Sequence, residues 1–198
     1  MEKIIIGLTG PTGSGKSSGC SVARELGFKI VDCDKLARVA VEKGTKGLKA
    51  VTLAFGDDIL NPDGTLNRKL LAQKAFSSKE NTKLLNDTIF PFIRELVECE
   101  MVGNRILLDA PTLYESGIDS MCTAVIAVLA DEKVRFNRII ERDGIDENAA
   151  KLRISAGKRE DYYKQRTEHI IYNNGNEIDF KTQFAVIINK IMKENCNG

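Results

Sequence analysis

Residues 10–17 read Gly-Pro-Thr-Gly-Ser-Gly-Lys-Ser, a full match to G-x-x-x-x-G-K-[ST], and they follow the apolar run Ile4-Ile5-Ile6-Gly7-Leu8. This juxtaposition constrains the chain more than any other feature. A stretch so rich in glycine does not continue a strand or a helix cheaply, so its backbone must serve as a loop. Glycines let successive N–H groups turn inward as a nest, and a helix opening near Lys16 adds the positive end of its dipole. The lysine supplies a cation and the serine a hydroxyl for Mg2+. The arrangement needs a buried strand before it and a helix after it, which Ile4–Leu8 and the three- and four-spaced apolar residues of Lys16–Leu26 provide. Gly13, Ser14, Gly15, Lys16, Ser17 and Ser18 are therefore expected to hold the phosphates of ATP. Pro11 lacks an N–H, so the nest should begin at or after Thr12.

Further along, Arg105–Leu108 and Ala124–Leu129 are continuous rather than alternating apolar runs, the mark of parallel strands buried on both faces. Lys29–Val31 and His169–Ile171 are shorter strand candidates. Helical spacing runs through Asp34–Lys43, Asn67–Phe76, Asn81–Met101, Glu132–Arg142, Glu147–Ala156 and Phe180–Lys193. Strand alternating with helix predicts an α/β, doubly wound parallel sheet. The expected organisation is a nucleotide-binding core from residues 1–33, 104–131 and 168–198, with a helical insertion at 34–103 and a charged helical region at 132–167. No linker separates independent domains.

The totals exclude several function classes. Lys plus Arg (29) nearly balances Asp plus Glu (28), so no global field favours nucleic acid or an anionic membrane. Five scattered cysteines, Cys20, Cys33, Cys99, Cys122 and Cys196, with a single histidine, form neither a zinc motif nor a disulfide framework. A reduced, cytoplasmic setting is expected, the N-terminus does not match a signal peptide, and no apolar run approaches the roughly 20 residues of a membrane span. A guanine-reading N-K-x-D is missing, since Asn189-Lys190 is followed by Ile191-Met192.

Two carboxylates in Val31-Asp32-Cys33-Asp34 end the second strand candidate, where an acid can accept the proton of an attacking hydroxyl. The structural alternative is that Asp34 caps the following helix while Asp32 is loop polarity. Asp109, closing Arg105–Leu108, has the form of an acid supporting Mg2+ from the neighbouring strand.

With these residues in order, the chain resembles the dephospho-CoA kinases. The similar stretches are IIGLTGPTGSGKSS, VDCDKLAR, FGDDILNPDGTLNRKLLAQKAF, LDAPTLYESG, RIIERDGIDENAAKLRI and HIIYNNG, spanning about Ile4 to Gly175. The resemblance implies a three-layer P-loop kinase fold with a five-stranded parallel sheet, a helical substrate-binding insertion and a helical lid. It implies transfer of the ATP γ-phosphate to the ribose 3′-hydroxyl of dephospho-CoA, an alcohol acceptor, with Mg2+. On that likeness Asp34 is the base, Lys16 a catalytic cation, Arg68 a substrate or phosphate contact and Arg142 a lid residue. Mg2+ would be held by Ser17, with Asp34 and Asp109 acting through water. The same likeness places Asn173-Asn174-Gly175 near the adenine. Arg138 and Arg153 read as solvated helix charges. The implied partners are dephospho-CoA and ATP, with no nucleic acid and no membrane, in a monomer or small homo-oligomer. Departures from the family pattern are Pro11-Thr12, Phe90, Gly157 and Tyr172. Two other readings stand beside it: a related nucleoside or nucleotide kinase, and an NTP-binding regulatory protein with vestigial activity.

Overall fold

The computed structural model describes residues 3–195; Cys196 lies outside them. Five strands, β1 (Ile4–Thr9), β2 (Lys29–Asp32), β3 (Arg105–Asp109), β4 (Ala124–Leu129) and β5 (His169–Tyr172), form one parallel sheet in the order β2-β3-β1-β4-β5. The apolar runs take the central places, because only a strand flanked on both sides and covered on both faces buries an uninterrupted row of Ile, Leu and Val. Leu8 lies opposite Asp109 across β1 and β3, and Thr9 opposite Ala127 across β1 and β4. The connection order changes direction between β1 and β3, which opens a crevice at their carboxyl ends.

The helices of this part are α1 (Lys16–Glu25), α6 (Glu132–Asp143), α7 (Glu147–Ser155), α8 (Glu160–Lys164) and α9 (Glu177–Asn195). Those between β2 and β3 are α2 (Cys33–Val39), α3 (Lys46–Phe55), α4 (Arg68–Ala75) and α5 (Lys79–Glu100). Ile6, Leu8, Leu107, Ile126 and Val128 of the sheet pack with Phe180, Phe184 and Ile188 of α9 and with Cys20, Val22 and Ala23 of α1. That core fixes the start of α1, and therefore the loop before it.

Asp32–Met101 clusters as a unit separate from the described residues on either side of it. Its own core gathers Val41, Val51, Ile59 and Leu71 with Phe55, Leu66, Leu85 and Ile89. Each of its four helices opens on a side-chain cap, Asp32 to Lys35 N, Thr45 to Leu48 N, Asn67 to Leu70 N and Ser78 to Asn81 N. Such caps satisfy amides that a helix leaves without an internal partner, each stabilising by about 1 kcal/mol. α5 contains Pro91, which is exposed and removes one internal bond from a helix of 22 residues.

Two helices differ from the sequence expectation. The spacing predicts no helix over α3, because Gly44 and Gly47 punctuate its start. Gly47 is there for a steric reason: a Cβ would overlap the Ala40 carbonyl oxygen beyond the end of α2. The five-residue α8 is too short and too charged to show a helical stripe. Among the described residues no helix is long and apolar enough to cross a membrane.

Candidate active site

Between β1 and α1 the chain makes a turn in which Ser14 N donates to Pro11 O at 3.2 Å and Ser18 N to Gly15 O at 3.1 Å. Gly15 is the residue before α1 and has φ +94°, a left-handed conformation that a side chain would strain. No side chain caps α1, nor α6 or α8, whereas α2, α3, α4, α5 and α7 each have one. A helix start that no side chain caps is where an anion can be received. Lys16 Nζ donates to Gly10 O at 2.9 Å, which folds the ammonium back across the loop. Ser17, on the same first turn, is exposed.

One turn along α1, Cys20 is 5% exposed and its thiol donates to Asp109 Oδ2 at 3.5 Å. Burial first, and the Asp109 charge second, push the Cys20 thiol up to about 12, so it stays a neutral donor to the carboxylate. Asp109 is thereby brought behind the loop at the carboxyl end of β3. A serine hydroxyl and a carboxylate are hard oxygen donors of the kind Mg2+ takes, and Mg2+ in such sites draws its remaining ligands from water and substrate phosphates. The residues present fit that ion. No cluster of three or more His, Cys, Asp or Glu suited to a metal exists among the described residues, so the ion's other ligands would be substrate and water.

Helix α6 presents arginines to the loop's carbonyls. Arg135 is 8% exposed and donates through Nε to Thr12 O at 2.9 Å, and burial lowers its pKa from the ordinary guanidinium value. Arg138 Nη1 reaches Gly13 O at 3.5 Å and Ser14 O at 3.4 Å, while its Nη2 donates to Asn173 Oδ1 at 3.3 Å. The reading of Arg138 as a solvated helix charge is therefore corrected. Its place on α6 brings it onto the loop, a contact between residues 124 and 125 positions apart that local spacing does not express. Arg153 is exposed and pairs with Asp143, which also accepts a two-pronged bond from Arg142 at 2.7 and 2.9 Å. The Arg142 hydrogen bond holds the Asp143 carboxyl below the usual carboxylate range and raises Arg142 in turn.

Two hollows adjoin the loop. A small one of about 280 Å3 is lined by Gly13, Gly15, Ser17, Arg138, Glu141 and Arg142, so the loop and Arg142 share one opening. A larger one of about 900 Å3 is lined by Pro11, Arg135, Lys151, Lys158, Arg159 and Glu160, among others. Gly157, one of the departures named above, also faces it and brings no side chain to it. Tyr172, another departure, donates its hydroxyl to Glu160 Oε1 at 2.5 Å, and Lys164 pairs with the same carboxylate at 2.5 Å.

In the unit Asp32–Met101 the capping expectation is reversed. Asp32 Oδ1 accepts Lys35 N at 2.9 Å and is the cap of α2, because its extended backbone places the carboxylate over the first turn. Asp34 is not the cap; it lies exposed in that first turn. Arg68 opens α4 and donates through Nη2 to Arg38 O at 3.2 Å, in the last turn of α2. Asp34 and Arg38 are four residues apart and share a helix face. Phe90 is half-buried on α5, where its ring can pack but offers no hydrogen bond.

Comparison with known proteins adds a family. The sequence profile described as dephospho-CoA kinase matches residues 4–179. A dephospho-CoA kinase of Corynebacterium efficiens is 38% identical over 193 residues, covering 94% of this chain and 96% of that protein. A solved structure from Thermus thermophilus superposes with TM-score 0.80 at 27% identity, covering 96% of this chain and 98% of the other. A dephospho-CoA kinase from Campylobacter jejuni gives TM-score 0.68 at 25% identity, with coverage of 96% and 98%.

Proposed function

The chain belongs to the dephospho-CoA kinase family, and from that premise we propose how its residues divide the work of carrying the γ-phosphoryl group of ATP to the ribose 3′-hydroxyl of dephospho-CoA. Amides from Gly13 to Ser18 and the Lys16 ammonium hold the β- and γ-phosphates and take up the charge that spreads over the equatorial oxygens during transfer. The Asp34 carboxylate accepts the proton of the 3′-hydroxyl as its oxygen bonds to the γ-phosphorus. The bond from that phosphorus to the β–γ bridging oxygen breaks, and ADP leaves with the electron pair. Arg68 orients the acceptor through a planar fork of donors, which fits phosphate oxygens better than a point ammonium does. Arg142, in the opening it shares with the loop, contacts the ATP phosphates from a lid formed by residues 132–167. Ser17 would hold Mg2+, with Asp109 and Asp34 acting through water, and the ion would supply neutralisation of phosphate charge.

The observation that carries this assignment is the loop before α1, a helix start without a side-chain cap, with Asp109 opposite Leu8 at the ends of β3 and β1. The test is ADP release by the purified protein with ATP and Mg2+ against dephospho-CoA, adenosine, AMP and CMP. Dephospho-CoA should accelerate release above the acceptor-free rate and the others should not. Equal rates with and without dephospho-CoA would overturn the acceptor assignment.

A further inference from the structure

Asn173 directly follows β5 and is 5% exposed, one of few buried polar residues among those described. Its Nδ2 donates to the Ser14 carbonyl at 2.9 Å, across 159 residues of sequence, and its Oδ1 accepts Arg138 Nη2 at 3.3 Å. These neighbours fix which end of the amide is which, because a carbonyl only accepts and a guanidinium only donates. Its backbone N–H is held by Leu129 O at 2.8 Å, at the end of β4. The next residue ties down the start of α6: Asn174 Oδ1 accepts Asp131 N at 2.7 Å and its Nδ2 donates to Asp131 Oδ1 at 2.9 Å. A Cβ on Gly15 would overlap Asn173 Nδ2, so the amide occupies the space that glycine leaves open.

Resting on the assignment of this loop to ATP phosphates, we propose that Asn173 is a positioning residue. Its amide holds the Ser14 carbonyl on the rear of the loop so that the following amides, Gly15 onward, point forward at the phosphates. A carbonyl and the next N–H belong to one planar peptide, so holding the Ser14 oxygen fixes the direction of the Gly15 N–H. Nest geometry depends on that direction, and a site whose donors are already aimed does not reorganise when the anion arrives. Arg138 keeps the Asn173 amide in the donating orientation. Asn173 thereby acts on the phosphate part of the nucleotide rather than on its base.

A base-free probe separates these roles. Asn173→Asp keeps size and shape and gains charge attraction to Arg138, but sets an acceptor against the Ser14 carbonyl; Asn173→Ala removes both contacts. By calorimetry, Asn173→Asp should weaken inorganic tripolyphosphate and ATP by the same factor, about tenfold, the usual loss for one unmade buried hydrogen bond. Asn173→Ala should weaken both equally, and neither variant should change the KM for dephospho-CoA. Loss of ATP affinity with tripolyphosphate affinity retained would assign Asn173 to the base and overturn the proposal. Unchanged affinities alongside a lowered thermal transition, or variants that do not fold, would make it a stability residue only. If the unaltered protein itself fails to bind tripolyphosphate, the phosphate-loop assignment falls and the clamp with it; if it binds and the variants bind equally, only the clamp falls.

Discussion

Around Lys16 the backbone is hemmed in: Gly15 against Asn173, the carbonyls of Thr12, Gly13 and Ser14 against Arg135, Arg138 and Asn173, and Gly10 O against the lysine itself. In Asp32–Met101 the residues assigned to the acceptor stand at the exposed first turns of α2 and α4, on helices already completed by Asp32 and Asn67. One region makes its site from main chain, which must take a single shape. The other mounts side chains on helices whose stability does not depend on them. Substitutions in the loop should therefore act through geometry and those at Asp34 and Arg68 through chemistry, leaving the fold intact.

The largest effect should come from Gly15→Ala, which adds a Cβ at φ +94° into the Asn173 amide. Nucleotide affinity and turnover should fall together, by roughly a thousandfold in kcat/KM, the scale of losing aligned anion donors. Retained ATP binding in calorimetry would mean that the loop has more freedom than its packing indicates. Lys16→Ala should weaken ATP binding and lower the rate by somewhat less.

Arg68→Lys keeps the charge and loses the fork. The KM for dephospho-CoA should rise about tenfold while the KM for ATP is unchanged, by steady-state kinetics with each substrate varied. A shift confined to ATP would move Arg68 to the nucleotide.

The comparison predicts one inversion. Gly47 in the acceptor unit is required by close packing on Ala40 O, so Gly47→Ala should cost stability, about 1–3 kcal/mol in urea unfolding, without changing ATP affinity. The last effect concerns pH; it is the smallest near neutrality and grows only in alkali. Burial pushes the Cys20 and Cys122 thiols up to about 12, from an unfolded value of 9.0. The folded chain thus keeps two protons that the unfolded chain loses. Their contribution is complete below about pH 9 and declines as pH rises toward 12, by about 1 kcal/mol per thiol per pH unit at first. Thermal transitions followed from pH 8 to 11 should fall, and Cys20→Ala with Cys122→Ala should flatten that fall.

Much of the nucleotide unit was legible because its signals are local. The runs in β1, β3 and β4 are continuous, and the loop motif sits between a strand and a helix that any reader of periodicity would mark. The helices of the other unit were legible by spacing, except α3, where Gly47 costs helix propensity for the sake of a neighbour 7 residues away. Arg135, Arg138 and Asn173 were not legible as loop contacts. Each meets the loop across more than 120 residues, and nothing in its own neighbourhood distinguishes it from a solvated charge or a turn amide. Asp34 was legible as a carboxylate of interest, but which of two aspartates capped the helix depended on backbone angles that sequence does not carry.

The most direct measurement is Asp34→Asn, followed by calorimetric ATP affinity and by the rate of dephospho-CoA phosphorylation. The account predicts unchanged ATP affinity and a fall in kcat of about a hundredfold or more, the loss expected when a proton acceptor is removed. Turnover near that of the unaltered protein would contradict it.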